Sequence, residues 1–334
     1  MDGYIEVTEG LYRGGSGATV TEGGGAMRRP ASWGWIYWMV ALLCLPACLS
    51  PAPRTPDAPA MPASTPSAHL LAVTPPPPPL TAATPFPLTP SSHAGVDAFI
   101  DPGHGGVDDG ATGVTSDGRP VAEKTITLAI ALQTAAMLEA DGFRVALSRT
   151  DDSLPDLQPS DLTAEGDALT PDGVLHDLQR RIDRANASGA RVLLSIHLNS
   201  FDDPEVGGAE TIYDASRPFA DQNLQFAQLV QQHVVAALRQ AGYPVDDRGV
   251  VNDSDLTGGE SFGVLPASYN HLVLLGPELP GLVNPSQMPG ALSEPLFISN
   301  PEEATLATNP ATQQALARAY ADAIEAFLRG ATGN

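Results

Sequence analysis

The spacing of apolar positions divides the chain into unlike parts. They are nearly continuous from Trp33 to Leu45, scattered among Pro, Ala, Thr and Ser from Leu49 to about Gly95, and periodic after Val96. In the periodic part, the short run Ala98-Phe99-Ile100 stops at Asp101-Pro102-Gly103-His104-Gly105-Gly106. Ile126, Leu128, Ile130, Leu132, Ala136 and Met137 then recur across Thr125–Ala140, which predicts a helix ended by Asp141-Gly142. Phe143–Leu147 reads as a strand, and Leu175–Ala187 as a helix with Leu178, Ile182 and Ala185 on one face. Arg191–Ile196 is a β-rich run ending at His197, Ala209–Tyr213 is another strand, and Ala220–Gln240 and Ala311–Leu328 are helical. Leu272–Leu275 and Gly290–Leu292 are further short apolar runs. Strands alternating with helices predict an α/β fold: a mixed, largely parallel sheet flanked by helices, in a single domain over 96–330.

Two stretches fit this plan poorly. Asp151–Gly173 is acidic and holds Pro155, Pro159 and Pro171; Gly276–Gly290 holds four prolines. Both are long for structureless connections and read as surface loops, or as walls if a site lies beside them.

Before the domain, Met27-Arg28-Arg29, the apolar run and Leu45-Pro46-Ala47-Cys48 follow the charged, apolar and small-residue order of an export signal. Its end resembles a bacterial lipobox, so residues 27–48 are expected to direct export and lipid anchoring. The alternative is an uncleaved anchor with Trp33, Trp35, Tyr37 and Trp38 at the membrane interface. Residues 1–26 are expected to be disordered or an upstream over-translation, with Met27 as the true start. Residues 49–95, with five consecutive prolines at Pro75–Pro79, read as an extended tether. These features place the domain outside the cytoplasm, touching a membrane only through its N-terminal segment.

Charge and cysteine content narrow the chemistry. With 39 Asp and Glu against 17 Lys and Arg, the net charge of −22 argues against nucleic acid as a partner. The only cysteines, Cys44 and Cys48, precede the domain, so any metal there needs His, Asp or Glu ligands. Lys124 is the only lysine of the chain.

Four residues stand where an α/β sheet mounts functional groups. His104 follows the first apolar run, Glu123 opens the first long helix, His197 ends a strand, and Glu294 follows a short apolar run. Strand ends on one edge of an open sheet converge on a common crevice. Two neutral imidazoles and a carboxylate suit zinc and leave one tetrahedral position for water, while a further carboxylate, Glu294, is the candidate general base. Each residue also has a plainer role: His104 in a hydrogen-bonded turn, His197 at a polar strand end, Glu123 as a first-turn acid, Glu294 in a solvated loop. A phosphate-binding loop fails, because Asp108 stands where the third glycine belongs and no G-x-x-x-x-G-K occurs. On the residues alone, a metal enzyme and an α/β binding domain both stay open.

Four motifs in order, DPGHGG-x-D-x-GA-x-G, EK, SIHLNS and SEPLFISN-x-EE, resemble those of the zinc-dependent N-acetylmuramoyl-L-alanine amidases of the amidase-3 type. The match spans about Phe99 to Leu328. The resemblance implies a peptidoglycan hydrolase that cleaves the amide between N-acetylmuramic acid and L-alanine of the stem peptide. It also implies Zn²⁺ held by His104, Glu123 and His197, with Glu294 as the catalytic carboxylate. Arg149, Arg181 and Asn186 match lesser family positions and are expected to be structural. Pro295 departs from the small or hydroxyl residue usual after the catalytic Glu, and Gly276–Gly290 is extended. The prolines of Asp151–Gly173 argue against the site-covering helix some members carry there. Other readings are a silent peptidoglycan-binding protein and a different zinc peptidase of the same polymer.

Overall fold

The computed structural model describes residues 94–256 and 264–330. The expectations for 1–26, for 27–48 and for all but the last residues of the 49–95 tether lie outside these residues. Among the described residues, no helix is long and apolar enough to cross a membrane.

A six-stranded sheet organises the domain. Its strands are β1 (Ala98–Pro102), β4 (Val145–Leu147), β5 (Leu193–Ile196), β6 (Ala209–Tyr213), β7 (Asp247–Asn252) and β8 (Gly290–Glu294), in the order β4-β1-β5-β8-β6-β7. Pairs β4–β1, β1–β5, β5–β8 and β6–β7 are parallel, and β6–β8 is antiparallel. A hairpin of β2 (Thr112–Val114) and β3 (Pro120–Ala122) stands apart. The helices are α1 (Glu123–Ala140), α2 (Pro171–Ser188), α3 (Ala220–Gln240), α4 (Pro301–Ala307) and α5 (Pro310–Gly330). The sheet is mixed and largely parallel, as the pattern predicts.

Alternation along the strands assigns residues to two cores. Ala98, Ile100, Leu194, Ile196 and Ala291 face the cluster built from α1, α3 and α5, in which Ile130, Phe226, Leu238, Tyr320 and Ile324 are fully buried. Phe99 and Leu193 face the other way, onto Ile182 and Ala185 of α2 and onto Val273, Leu274 and Met288. The Leu272–Leu275 run therefore forms no strand. It is a buried turn that covers the second face, with Leu272 and Leu275 packed on Ile212 and Leu292.

Local chemistry moves several boundaries. Pro171, expected within a loop, is the first residue of α2: Thr170 caps the helix by accepting the Gly173 N–H at 3.0 Å, and the fixed φ of proline suits that position. The rest of Asp151–Gly173 holds one short 3-10 turn, Pro159–Asp161, and an isolated bridge between Leu162 and Leu169, and no site-covering helix. Asn186 pins the Gly276–Gly290 loop to α2, donating to Pro285 O at 3.1 Å and accepting from Gln287 N at 2.8 Å. In α4, Asn300 accepts the N–H groups of Glu302 and Glu303. Buried Glu303 then ties Gly208 and Tyr243 to the chain after β8.

Candidate active site

Registers bring three of the four sequence candidates to one edge of the sheet. β1 pairs with β5 up to Pro102↔Ile196, and β5 with β8 up to Ile196↔Ser293. His104, His197 and Glu294 stand just beyond those pairs, at the strand ends where α/β sheets gather functional groups. Glu123 reaches the same place because the β2–β3 hairpin returns the chain, pairing Ala122 with Thr112.

His104, Glu123 and His197 form one tight group, with one potential ligand atom from each lying within 4.8 Å of the others. His104 Nε2 is 3.2 Å from Glu123 Oε2, His197 Nδ1 is 3.1 Å from Glu123 Oε1, and the imidazoles meet edge to face at 4.9 Å. The Glu123 carboxylate is fixed by two backbone donors, Ala111 N–H at 2.9 Å and Leu198 N–H at 2.8 Å. His104 adopts φ of 61°, rare for a residue with a side chain. Its Nδ1 bonds Asp108 Oδ2 at 2.8 Å, and the other Asp108 oxygen accepts Gly110 N–H at 3.0 Å. That carboxylate keeps the ring proton on Nδ1 and turns the Nε2 lone pair inward. Nε2 is buried and has no hydrogen-bond partner.

Electrostatics agree with the geometry. Burial opposes protonation of His104, but the Asp108 and Glu123 carboxylates more than offset it, and its pKa stands well above the ordinary value. Burial would lift Glu123, yet His104 and His197 hold it far below the usual carboxylate range. The group thus favours a positive charge at its centre. Two glycines leave room for it. A methyl group on Gly110 would lie 2.5 Å from His104 Cδ2 and 2.7 Å from Glu123 Oε2, and one on Gly103 would lie 2.3 Å from His197 Cε1.

Two buried arginines hold the loop that bears His104. Arg181 donates to Asp101 Oδ1 (2.8 Å), Asp177 Oδ2 (2.6 Å), Pro102 O (2.9 Å) and His104 O (2.8 Å). Arg149 donates to Pro102 O (3.1 Å), Gly103 O (2.8 Å) and Lys124 O (2.8 Å), joining the loop to the first turn of α1. Lys124 Nζ closes the frame on Gly106 O at 2.6 Å, with Asp109 and Asp152 beside it at 2.9 and 3.2 Å.

Glu294 is almost fully buried, and its Oε2 has no hydrogen-bond partner. Burial, then the charges of Glu210 and Glu123, push its pKa well above the ordinary value, against a weaker pull from Asn199 and Arg248. Glu210 is its direct cross-strand partner on β6, itself buried and 3.6 Å from Arg248 Nε. Pro295 follows the last paired residue of β8, so its missing N–H costs the ladder nothing.

A profile of the amidase-3 family, described as N-acetylmuramoyl-L-alanine amidase, matches residues 98–326. The chain belongs to this family. Its amidase relatives include the germination-specific N-acetylmuramoyl-L-alanine amidase of Bacillus subtilis, 28% identical over 219 residues that cover 66% of this chain and 74% of the relative. An N-acetylmuramoyl-L-alanine amidase from Clostridium difficile 630 superposes with a TM-score of 0.50 at 28% identity, covering 70% of this chain and 97% of that one. The CwlD amidase of Clostridioides difficile, solved with the GerS lipoprotein, shares the fold at a TM-score of 0.51 and 24% identity, over 70% of this chain and 99% of its own. Like its relatives, this amidase is a hydrolase of peptidoglycan.

The structure brings together all four residues singled out from the sequence. Sequence reasoning passed over Asp108, Glu210 and Arg248. Asp108 was within reach, four residues after His104 inside the quoted motif; Glu210 carries no local signal, because only the β6–β8 register puts it beside Glu294.

Proposed function

We propose that this amidase binds zinc through His104, Glu123 and His197 and uses Glu294 to move the proton in hydrolysis of the N-acetylmuramic acid–L-alanine amide. The main support is the unpartnered, buried Nε2 of His104 aimed at Glu123 within a His-Glu-His group. That donor set fits a zinc site with an open fourth position. Held by these residues, zinc would supply Lewis-acid polarisation of the scissile carbonyl and a water acidified towards a pKa of about 7.

The protein's residues do the rest. Asp108 holds the His104 proton on Nδ1, and the N–H groups of Ala111 and Leu198 orient the Glu123 carboxylate. Glu294 Oε2 accepts a proton from the attacking water and returns it to the departing L-alanine nitrogen. Burial, then the charges of Glu210 and Glu123, raise the Glu294 pKa and make that carboxylate basic enough to accept the proton. The domain acts outside the cytoplasm, where peptidoglycan lies, held by a lipidated or membrane-bound N-terminal segment and the Pro-rich tether.

Digestion of purified sacculi with and without a chelator, followed by mass analysis, tests this reading. The expected products are intact muramic acid and stem peptides with a free L-alanine amine, absent with chelator. Cleavage elsewhere in the stem identifies a different peptidase, and no release identifies a binding protein. Glu294→Gln should keep its zinc and lose about 10²-fold or more in rate; a near-wild-type rate removes Glu294 from the mechanism.

A further inference from the structure

A second group of side chains stands at the opposite edge of the sheet. Because β6 runs antiparallel to β8, the ends of β6 and β7 point away from the crevice of His104, His197 and Glu294. Asp214 directly follows β6, and Asp253 directly follows β7, whose last paired residues are Tyr213 and Asn252. His271, from the segment before β8, closes on both: its Nδ1 is 2.9 Å from Asp214 Oδ2 and 3.3 Å from Asp253 Oδ1. Both aspartate side chains are 0% exposed, and that of His271 is 17% exposed.

The outward oxygens of this cluster are already engaged. Asp214 Oδ1 accepts the Ser216 N–H and hydroxyl, and Asp253 Oδ2 accepts the Leu272 N–H at 3.0 Å. On the inward side, Asp253 Oδ1 is hydrogen-bonded to His271 Nδ1 at 3.3 Å. Asp214 Oδ2 makes no hydrogen bond, although its residue is wholly buried and the imidazole is close. Burial, then the Asp214 carboxylate through its charge and a hydrogen bond between the two acids, push Asp253 up to about 8. Nearby Arg217 directs its donors to Leu275 O, Gly276 O and Ser286, leaving the inward oxygens without a contact from it.

One ligand atom from each of the three residues lies within 4.8 Å of the others, close enough to share an ion. Oxygen and nitrogen ligands about 2.0–2.2 Å from a tetrahedral metal lie about 3.3–3.6 Å from one another. The 2.9 and 3.3 Å separations here resemble the 3.1 and 3.2 Å separations in the first group. We propose that Asp214 Oδ2, Asp253 Oδ1 and His271 Nδ1 form a second, structural site for a divalent transition-metal ion. Two carboxylates and an imidazole suit zinc or manganese, and the pair of negative charges matches the ion. The site pins the ends of β6 and β7 to the segment that leads into β8. It faces away from the catalytic crevice and meets no substrate.

Four full-length chains test it: wild type, His104→Ala, His271→Gln and the double variant, each stripped of metal, loaded with zinc, desalted and analysed for bound zinc. The expected contents are two equivalents, one, one and none. Zinc should also raise the unfolding temperature of His104→Ala but not of the double variant. Zinc content unchanged by His271→Gln in both backgrounds, or no zinc-dependent rise in His104→Ala, overturns the second site. Loss caused by His104→Ala alone reports on the first site separately. If His271→Gln does not fold by circular dichroism, Asp253→Asn replaces it in the same comparison.

Discussion

Arg181→Met removes the charge that four acceptors share while keeping most of the side-chain volume. Asp101 and Asp177 are left as buried carboxylates without their cation, and His104 O loses its donor. Breaking a buried ion pair from one side costs about 3–5 kcal/mol. For a domain of this size that corresponds to a fall in Tm of roughly 6–20 °C. The loss should depend on pH. Burial would raise the Asp101 pKa, but Arg181 and its hydrogen bonds bring it down from 3.8 to about 2. A folded-state pKa below the unfolded one gives stability that is present above the unfolded value, of the order of 2 kcal/mol, and lost as pH falls towards 2. In the variant, burial is opposed only by the Ser148 and Ser195 hydroxyls and the His197 charge, the Asp101 pKa rises, and acidification relieves the folded state. The gap between wild type and variant should therefore be widest near pH 7 and narrow towards pH 3. Guanidinium unfolding of both proteins at several pH values in this range measures it. A difference under 1 kcal/mol at pH 7, or a gap that widens on acidification, would refute this account of Arg181.

Other substitutions probe the proposed metal group. Both Asp108 oxygens act as acceptors, whereas asparagine offers one, so Asp108→Asn must leave either His104 Nδ1–H or Gly110 N–H unpaired; zinc affinity, read by chelator competition, should fall about 10–100-fold. Gly103→Ala would drive a methyl group into the His197 ring, and displacement of that ligand should cost about 10²-fold or more in hydrolysis while the far-UV spectrum stays native. Acidification should release zinc from wild type, because the His104 ring binds a proton well above its ordinary pKa and competes for the same lone pair; unchanged zinc occupancy between pH 7 and pH 4 would contradict that competition.

Much of this site was legible because its residues sit where local patterns end. His104 and His197 terminate apolar runs, and Glu123 begins a periodic one, so the break in pattern marked each of them. What escaped depends on long-range pairing. The sequence DRGVVN of β7 looks like a loop until β6 supplies a neighbour, with its register shift at Ala209 and Glu210. Leu272–Leu275 is apolar enough for a strand but is consumed as a turn over the second core. Pro171 read as a breaker because proline at a helix start and proline in a loop look alike until a cap is seen. The antiparallel placement of β6 had no signal at all, yet it sets Glu210 beside Glu294.

The place of β8 in the sheet has a consequence for how the enzyme comes into being. It is the last strand to be synthesised, yet it lies in the interior, between β5 and β6. Without β8, no strand pairing would join β4-β1-β5 to β6-β7, and each set would keep an open edge of the kind that invites pairing with other chains. Glu294 arrives on that same strand. A polypeptide that stops short of β8 would therefore hold His104, Glu123 and His197 without the residue proposed to move the proton. The strand that closes the sheet and the strand that delivers the proposed proton carrier are the same one.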